Sequence, residues 1–148
     1  MKLIKVRCKD AVSNLFEIAP KEEWQKALKG WKKIEVGKNR FNGTDGGVKV
    51  KLDGRAYEAR AQIYWLGGDH EIYADIHVQP FNNYDGQDEF YKKILPLLPA
   101  GYERSVWTIQ KQKKFPLTNS KDLAKISKQW LQDWKEFEKA IKALVGKF

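Results

Sequence analysis

The feature that most constrains the fold is a two-residue alternation of apolar and polar side chains between residues 48 and 79. Successive side chains of a β-strand point to opposite faces, so this period predicts strands with one face in the core and the other in water. The alternation covers residues 48–52, 57–65 and 71–79. It therefore predicts three consecutive strands, each with one polar face.

The two breaks in this pattern contain residue pairs that favour tight turns. Asp53-Gly54 and Gly68-Asp69 both tolerate the left-handed conformations of a two-residue hairpin turn. The apolar pairs expected from these turns are Val48–Ala59, Val50–Tyr57, Ala59–Val78, Ala61–Ile76, Ile63–Ala74 and Trp65–Ile72. The expected polar pairs are Lys49–Glu58, Glu58–Gln79, Arg60–His77, Gln62–Asp75 and Tyr64–Tyr73. A slip of one residue would move every apolar side chain to the wrong face, so the register is strongly specified.

Other segments are less regular. Residues 106–110 alternate and are followed by a basic run, which predicts a fourth strand, and residues 4–9 predict a fifth. The segment "AVSNLFEIA" (11–19) fits either a strand or a short helix. The glycine-rich stretch "GKNRFNGTDGG" (37–47) predicts a flexible loop.

Three segments have the three-to-four-residue spacing of apolar side chains that is typical of helices packed on a core. The first follows Pro20, and the second follows Asp85 and is ended by Pro96. The third begins at Ser120 and predicts a long amphipathic helix of about 35 Å, at a rise of about 1.5 Å per residue. The apolar positions are Trp24, Ala27, Leu28, Trp31 and Ile34 in the first segment, and Leu123, Ile126, Trp130, Trp134, Phe137, Ile141 and Leu144 in the third.

Together these elements predict an α+β fold. A mainly antiparallel sheet of four to five strands would have one face covered by the helix in the N-terminal half and by the long C-terminal helix. A second layer is expected because a sheet with one apolar face must bury it. At 148 residues the chain is predicted to form one domain, residues 1–148.

The amino-acid composition limits the classes of binding partner and the cellular compartment that we expect. Lys and Arg outnumber Asp and Glu by 28 to 19, and the net charge of +9 favours polyanionic partners such as nucleic acid. The single cysteine, Cys8, excludes an internal disulfide, and no apolar run reaches the roughly 18 residues of a membrane span. Because the amino-terminal residues also lack the apolar stretch of a signal peptide, we expect a cytoplasmic protein with no membrane contact.

The segment "HEIYADIHVQ" (70–79) holds two histidines and two carboxylates, a combination found in metal and catalytic sites. Asp75 and His77 share the polar face of their strand, where the carboxylate can orient the imidazole. No zinc-ligand spacing is present. The pattern is better explained by a solvated sheet face, so we predict no catalytic residue, no metal and no cofactor.

A nuclease is kept as an alternative. Asp53 followed by Glu58-x-Arg60 loosely resembles the acidic residues and lysine that bind magnesium in restriction-type enzymes. The lysine is missing, and Glu58 is expected opposite Lys49, where a charge pair explains it more simply.

The basic side chains of the predicted strands suggest a more coherent site. They alternate onto the polar faces with two tyrosines among them, which suits nucleic acid because cations neutralise phosphates and rings stack on unpaired bases. Phosphate contacts are assigned to Lys5, Arg7, Lys49, Lys51 and Arg60, and stacking to Tyr64 and Tyr73. The surface would extend to Lys38, Arg40, Phe41, His77, Lys111, Lys113 and Lys114. We thus predict a non-enzymatic protein that binds DNA, RNA or a nucleic-acid-bound complex.

The C-terminal helix supports a rival hypothesis. If this helix is longer than the core that it covers, its apolar end would suit a homodimer or a partner protein. A small basic protein of this kind would act as an interaction module or as an inhibitor that occludes a partner's site, as small proteins of phages and mobile elements do.

Overall fold

The computed structural model describes residues 12–52, 54–68, 70–80, 87–106, 108–145 and 147. Its centre is an antiparallel sheet of six strands in the order β1-β2-β3-β4-β6-β5. The strands are β1 (Lys33–Gly37), β2 (Arg40–Leu52), β3 (Arg55–Trp65), β4 (Glu71–Pro80), β5 (Glu103–Arg104) and β6 (Ile109–Pro116). The predicted α+β antiparallel architecture is confirmed, with six strands in place of four or five.

Helices cover one face of the sheet. They are α1 (Lys21–Ala27), α2 (Gln87–Ile94) and α3 (Ser120–Ala143), with short 3-10 helices at Leu15–Glu17 and Leu95–Leu97. Within the segment that fits a strand or a short helix, Leu15–Glu17 form a 3-10 helix, and the Asn14 side chain caps it by accepting a hydrogen bond from the Phe16 backbone N–H at 3.0 Å. One continuous core joins all three helices to the sheet. No helix of the described residues has both the length and the apolar character needed to cross a membrane.

The predicted register of the central strands is confirmed. Every predicted pair of the two hairpins is formed except one. The β2–β3 ladder closes at Leu52–Arg55, which leaves the predicted two-residue connection between these strands. On β3 and β4 the apolar residues point into the core and the polar residues point away from it.

The connection between β3 and β4 is longer than the predicted two-residue turn. Their ladder ends before the predicted Trp65–Ile72 pair, so residues 66–70 join the two strands. The Gly68 backbone N–H donates instead to the carbonyl oxygen of Val12 at 2.7 Å. This bond ties the connection to the segment before α1.

The first helix is shorter than its apolar spacing predicts. α1 ends at Ala27, and Gly30, with a φ of +105°, turns the chain out of the helical direction. Trp31 is still buried, but Ile34 lies in β1 and is 37% exposed. The apolar residues between 24 and 34 therefore belong to two elements, α1 and β1, although their spacing along the sequence resembles that of one helix.

The prediction of a flexible loop for the glycine-rich stretch 37–47 is wrong. These residues form the end of β1, the turn after it and the first half of β2. Gly43 faces Trp31 and Ile63, and a Cβ atom at this position would lie 3.1 Å from an atom of each side chain. The Trp31 ring can therefore pack directly on the strand. The missing side chain serves close packing here, not flexibility.

A β-bulge interrupts β2 at Gly46 and Gly47, where β2 contains one residue more than β3 opposite it. Both glycines have positive φ angles, of +107° and +73°. A Cβ atom on Gly46 would lie 2.9 Å from Cζ2 of Trp134, which reaches the bulge from α3. The bulge thus provides the space in which α3 packs against the sheet.

The predicted long amphipathic helix is confirmed as α3, which spans 24 residues. Its buried positions recur at alternating steps of four and three residues: Leu123, Ser127, Trp130, Trp134, Phe137, Ile141 and Leu144. Trp31 Nε1 donates to Ser127 Oγ at 2.6 Å, so the polar member of this stripe is satisfied. The stripe continues to Leu144, so the C-terminal end of α3 packs on the core.

Tyr102 packs between the sheet and α3. Its ring stacks on Phe137 with 4.5 Å between the ring centroids. The hydroxyl oxygen is buried and has no hydrogen-bond partner among the described residues. Burial, followed by the nearby Asp133 carboxylate, raises the pKa of Tyr102 above the ordinary value of 10.0.

Replacement of Tyr102 by Phe is therefore expected to change the alkaline stability of the protein. At neutral pH the variant should be as stable as the wild type or up to about 1 kcal/mol more stable, because an unpaired buried hydroxyl is removed. Below about pH 10 the Tyr102 phenol is neutral in the folded and the unfolded wild type, so it does not make stability depend on pH. Above about pH 10 the unfolded state releases this proton more readily than the folded state, so the free energy of unfolding falls as the pH rises towards the raised folded-state pKa. Urea unfolding at several alkaline pH values should show a steeper loss of stability in the wild type. Equal pH slopes would contradict this account.

Candidate functional site

The polar face is the side of the sheet turned away from α1 and α3. Strand alternation and the ladder register place one set of described residues on it, and their chain neighbours point towards the helices. The polar face consists of Lys33, Glu35, Arg40, Asn42, Thr44, Lys49, Lys51, Glu58, Arg60, Gln62, Tyr64, Glu71, Tyr73, Asp75, His77, Gln79, Glu103, Gln110, Gln112 and Lys114.

Two tyrosines and a lysine lie side by side across the polar face. Tyr64 on β3 and Tyr73 on β4 are paired, and their rings stack with 5.3 Å between the centroids and 14° between the ring planes. Lys114 is the next residue across, on β6, and its Nζ lies 5.3 Å from the centroid of the Tyr73 ring. These three residues form the tyrosine row. The sequence register predicts the tyrosine pair, and the fold adds a cation beside it.

Shallow grooves flank the tyrosine row. One, of about 450 Å³, is lined by Tyr64, Tyr73, Ala74, Asp75, Glu103, Gln112, Lys113 and Lys114. The other, of about 200 Å³, lies beyond Tyr64 and is lined by Arg40, Phe41, Asn42, Gln62, Tyr64 and Leu66. Both grooves combine an aromatic ring with amide and cationic side chains.

The two arginines of the polar face form ion pairs at its surface. Arg60 contacts Glu58 at 2.8 Å, and its side chain is 46% exposed. Arg40 contacts Glu35 at 3.2 Å, and its side chain is 62% exposed. Exposed ion pairs of this kind contribute only about 0–1 kcal/mol, so an anionic ligand can replace the carboxylate as the partner of the guanidinium group.

The charge of the polar face is more evenly balanced than the sequence predicts. Its lysines and arginines are Lys33, Arg40, Lys49, Lys51, Arg60 and Lys114. Its carboxylates are Glu35, Glu58, Glu71, Asp75 and Glu103. Any affinity of the described face for phosphate must therefore come from local groups and not from net charge.

Asp75 and His77 form a hydrogen-bonded pair. The distance from His77 Nδ1 to Asp75 Oδ2 is 2.6 Å, and Gln62 Nε2 donates to the same oxygen at 3.4 Å. The side chains of Asp75 and His77 are only 8% and 14% exposed. The carboxylate is placed to orient the imidazole, as its position predicts; Asp75 is buried and His77 is partly buried on the polar face.

This pair does not belong to a metal centre in the part of the chain that the structure describes. No group of three His, Cys, Asp or Glu side chains there is placed to hold a metal ion. His70 lies in the connection before β4, where it is exposed. The arrangement of Asp75 and His77 fits a structural pair that holds neighbouring strands in register, since its carboxylate also accepts from Gln62 on β3.

Several residues of the predicted surface lie elsewhere. Lys5 and Arg7, with the predicted strand 4–9, are outside the described residues. Lys38 is exposed in the turn between β1 and β2. Phe41 is fully buried, because alternation along β2 turns its side chain towards the helices, so the prediction that it extends the surface is wrong.

Lys111 and Lys113 were also expected on the basic surface, but they lie on the helix side of β6. Lys111 Nζ bonds to Asp133 Oδ2 on α3 at 2.9 Å and lies 5.4 Å from the centroid of the Trp130 ring. At the side of the core a lysine can bury its aliphatic stem and keep its ammonium group near water, so a lysine in a strand does not identify the polar face.

Similarity to known proteins does not decide what the polar face binds. The chain matches no protein-family model, no curated protein and no solved structure. The aromatic, amide and cationic groups of the polar face are therefore the basis on which a function can be proposed.

Proposed function

We propose that this protein is a non-enzymatic binding protein that holds single-stranded nucleic acid on its polar face. The observation that supports this most directly is the tyrosine row, in which two stacked rings and a lysine lie in line across the sheet. Rings on a sheet surface offer stacking platforms for unpaired bases, and each stacked base contributes about 1–3 kcal/mol.

The groove beyond Tyr64 is the preferred place for a base. A base stacked on the outer side of the Tyr64 ring would enter this groove, where Asn42 and Gln62 supply amide groups. Amides can donate to and accept from the edges of an unpaired base. Arg40 lines the same groove and is exposed enough to reach the adjoining phosphate.

Phosphate contacts then fall to cations around the tyrosine row. Arg40 and Lys114 lie near opposite ends of it, and Arg60 lies two residues along β3 from Gln62. With about three such contacts, the salt dependence of single-strand binding should have a log–log slope of about −2. Lys49 and Lys51 lie at the far end of the same face and would engage a longer strand.

Two alternatives are less well supported. A metal-dependent nuclease needs a cluster of ligands that the described residues do not contain. An interaction module or inhibitor predicts instead that the protein binds a defined protein partner and that nuclease treatment leaves this binding unchanged. A cytoplasmic location belongs to the proposal, because unpaired DNA and RNA are available there.

The proposal is tested by fluorescence-anisotropy titration of single-stranded and double-stranded DNA and RNA at low and moderate salt. We expect single strands to bind with a shallow salt dependence. Failure of every single strand to bind at low salt would overturn the proposal and favour a protein partner.

Replacement of both Tyr64 and Tyr73 by Leu is expected to weaken single-strand binding by about fivefold to 150-fold. The loss of the base stacked on the outer face of Tyr64 costs about 1–3 kcal/mol, and about 1.4 kcal/mol corresponds to a factor of ten. The titration measures this directly with the same labelled oligonucleotide.

The matched control is the double replacement of Tyr64 and Tyr73 by Phe, which keeps both rings and removes only the hydroxyls. This control should bind within about threefold of the wild type, since stacking depends on the ring faces. Wild-type affinity in the Leu variant, or an equal loss in both variants, would show that stacking on these rings does not drive binding.

A further inference from the structure

The solvent side of α3 carries a straight row of lysines. With Gln132 they recur at alternating steps of four and three residues, the spacing of the buried stripe on the opposite side of the helix. All of them are exposed, and the row extends for about 27 Å at a rise of about 1.5 Å per residue. These residues form the lysine ridge: Lys121, Lys125, Lys128, Lys135 and Lys139.

The carboxylates of α3 do not neutralise the lysine ridge. Three of its four acidic side chains are held by other groups: Asp122 by Thr118 and Asn119, Asp133 by Lys111, and Glu138 by Lys142. Within the described ranges, no ion pair involves a ridge lysine. Like charges three or four residues apart repel one another slightly along a helix. The fourth carboxylate, Glu136, is exposed three residues before Lys139 but forms no ion pair with it, so the five lysines leave the ridge with an excess of positive charge.

We propose that the lysine ridge binds the phosphate backbone of a nucleic-acid duplex. This inference rests on the proposed function for its class of partner, but it uses other residues on the opposite side of the protein. A duplex is a stiff, linear polyanion with about one charge per 1.7 Å of its axis, which suits a rigid, straight row of cations. The ridge holds no aromatic side chain, so it offers unpaired bases no stacking surface.

A lipid surface fits the lysine ridge less well. A helix that lies in a membrane interface inserts an apolar face next to its lysines. In α3 that face, including Trp130, Trp134 and Phe137, is already buried against the sheet. An acidic protein also fits poorly, because stable protein interfaces need buried apolar or aromatic anchors and the ridge supplies only lysines and Gln132.

The two surfaces point in opposite directions. The buried stripe of α3 faces the sheet, so the lysine ridge and the polar face lie on opposite sides of the core. One molecule can therefore hold a duplex on the ridge and a single strand on the polar face without a clash between them. Such a protein would favour places where the two forms meet.

The experiment titrates a labelled DNA duplex of about 20 base pairs with the wild type and with a variant in which Lys125, Lys128, Lys135 and Lys139 are replaced by Gln. We expect the Gln variant to bind the duplex at least tenfold more weakly. The log–log salt slope should flatten by up to about 3.6, at about 0.9 for each phosphate that the variant no longer neutralises. Its affinity for a single strand should stay within about threefold of the wild type.

The matched control replaces the same four lysines by Arg and should bind the duplex as the wild type does, because the four positive charges are kept. Gln and Arg have similar helix propensities, so the two variants differ mainly in charge. Thermal unfolding checks that both variants are folded. The double variant K128Q/K135Q should show an intermediate loss of duplex affinity, which provides a second measurement with a smaller perturbation.

The outcomes separate this inference from the proposed function. Duplex affinity unchanged in the Gln variant would overturn the ridge proposal and leave the polar face untouched. Single-strand affinity unchanged in the Tyr64→Leu/Tyr73→Leu variant would overturn the polar-face proposal and leave the ridge untouched. Binding of the wild type to vesicles that contain anionic lipid, with no binding to duplex, would overturn the ridge proposal in favour of a membrane surface.

Discussion

Replacement of Trp134 by Ala is expected to lower the free energy of unfolding by about 3–5 kcal/mol. Trp134 is 2% exposed, packs on Phe137 with 6.3 Å between the ring centroids, and approaches the backbone of β2 at Gly46. Removal of its ring would leave a cavity between α3 and the sheet. Since single domains have a total stability of about 5–15 kcal/mol, the variant should be near the limit of folding. Urea unfolding followed by tryptophan fluorescence or circular dichroism measures the loss.

The control for this prediction is Gln132→Ala on the exposed side of the same helix. Ala has a slightly better helix propensity than Gln, so this change should leave stability within about 0.5 kcal/mol of the wild type. If the two variants lost similar amounts of stability, Trp134 would not be an anchor of α3 on the sheet.

Replacement of Gly46 by Ala is expected to lower the free energy of unfolding by about 2–5 kcal/mol, through backbone strain and crowding together. Its φ of +107° disfavours any residue with a Cβ atom. That Cβ would also lie 2.9 Å from Trp134 Cζ2, 3.0 Å from the Ala59 carbonyl oxygen and 3.0 Å from Arg60 Cα. Two of these neighbours are backbone atoms, which cannot move without shifting β3.

Gly54→Ala is the control, because Gly54 also has a positive φ, of +75°, but no described residue beyond its chain neighbours comes within 4 Å of a Cβ built there. This change should cost only the backbone conformational energy, about 1–2 kcal/mol. The difference between the two variants in denaturant unfolding measures the crowding at the bulge together with the greater backbone strain at a φ of +107°. Equal losses of stability would show that the bulge has room for a side chain.

The sequence predicts the centre of the sheet because two independent signals agree there. The alternation along β3 and β4 assigns each side chain to a face, and the turn residues near Gly54 and Gly68 set the register. A wrong register would have exposed Ile63 and Ile76, which carry a large penalty in water. The stacked tyrosines of the polar face follow from the same register.

Hydrophobic periodicity could not reveal β1 and the first half of β2. Glycine has no side chain to alternate, so residues 43, 46 and 47 appear as a loop although each one serves packing or a bulge. The apolar residues before them continue the helical spacing of α1 into Ile34. Gly43 and Gly46 form part of a strand because they pack against Trp31 and Trp134, and the spacing of apolar residues along the sequence does not reveal such contacts.

The charge of the candidate site is predicted less well than its geometry. The alternation pattern predicts that the strand lysines lie on the polar face, but Lys111 lies on the helix side, where its long flexible side chain reaches Asp133. The burial of Asp75 and His77 also depends on neighbouring strands that the local pattern does not specify. By contrast, the lysine ridge is visible in the sequence alone, as a four-three spacing between the apolar positions.

The order of elements along the chain has a consequence during synthesis. The last strand of the described sheet ends at Pro116, whereas α3, which completes the helical layer begun by α1 and α2, starts at Ser120. At about 5–20 residues per second, the sheet is made on the order of seconds before Trp130, Trp134 and Phe137 are available. During that interval the part of the sheet that α3 will cover presents apolar side chains to the cell, so the yield of folded protein should depend on chaperones that shield this part until the helix emerges.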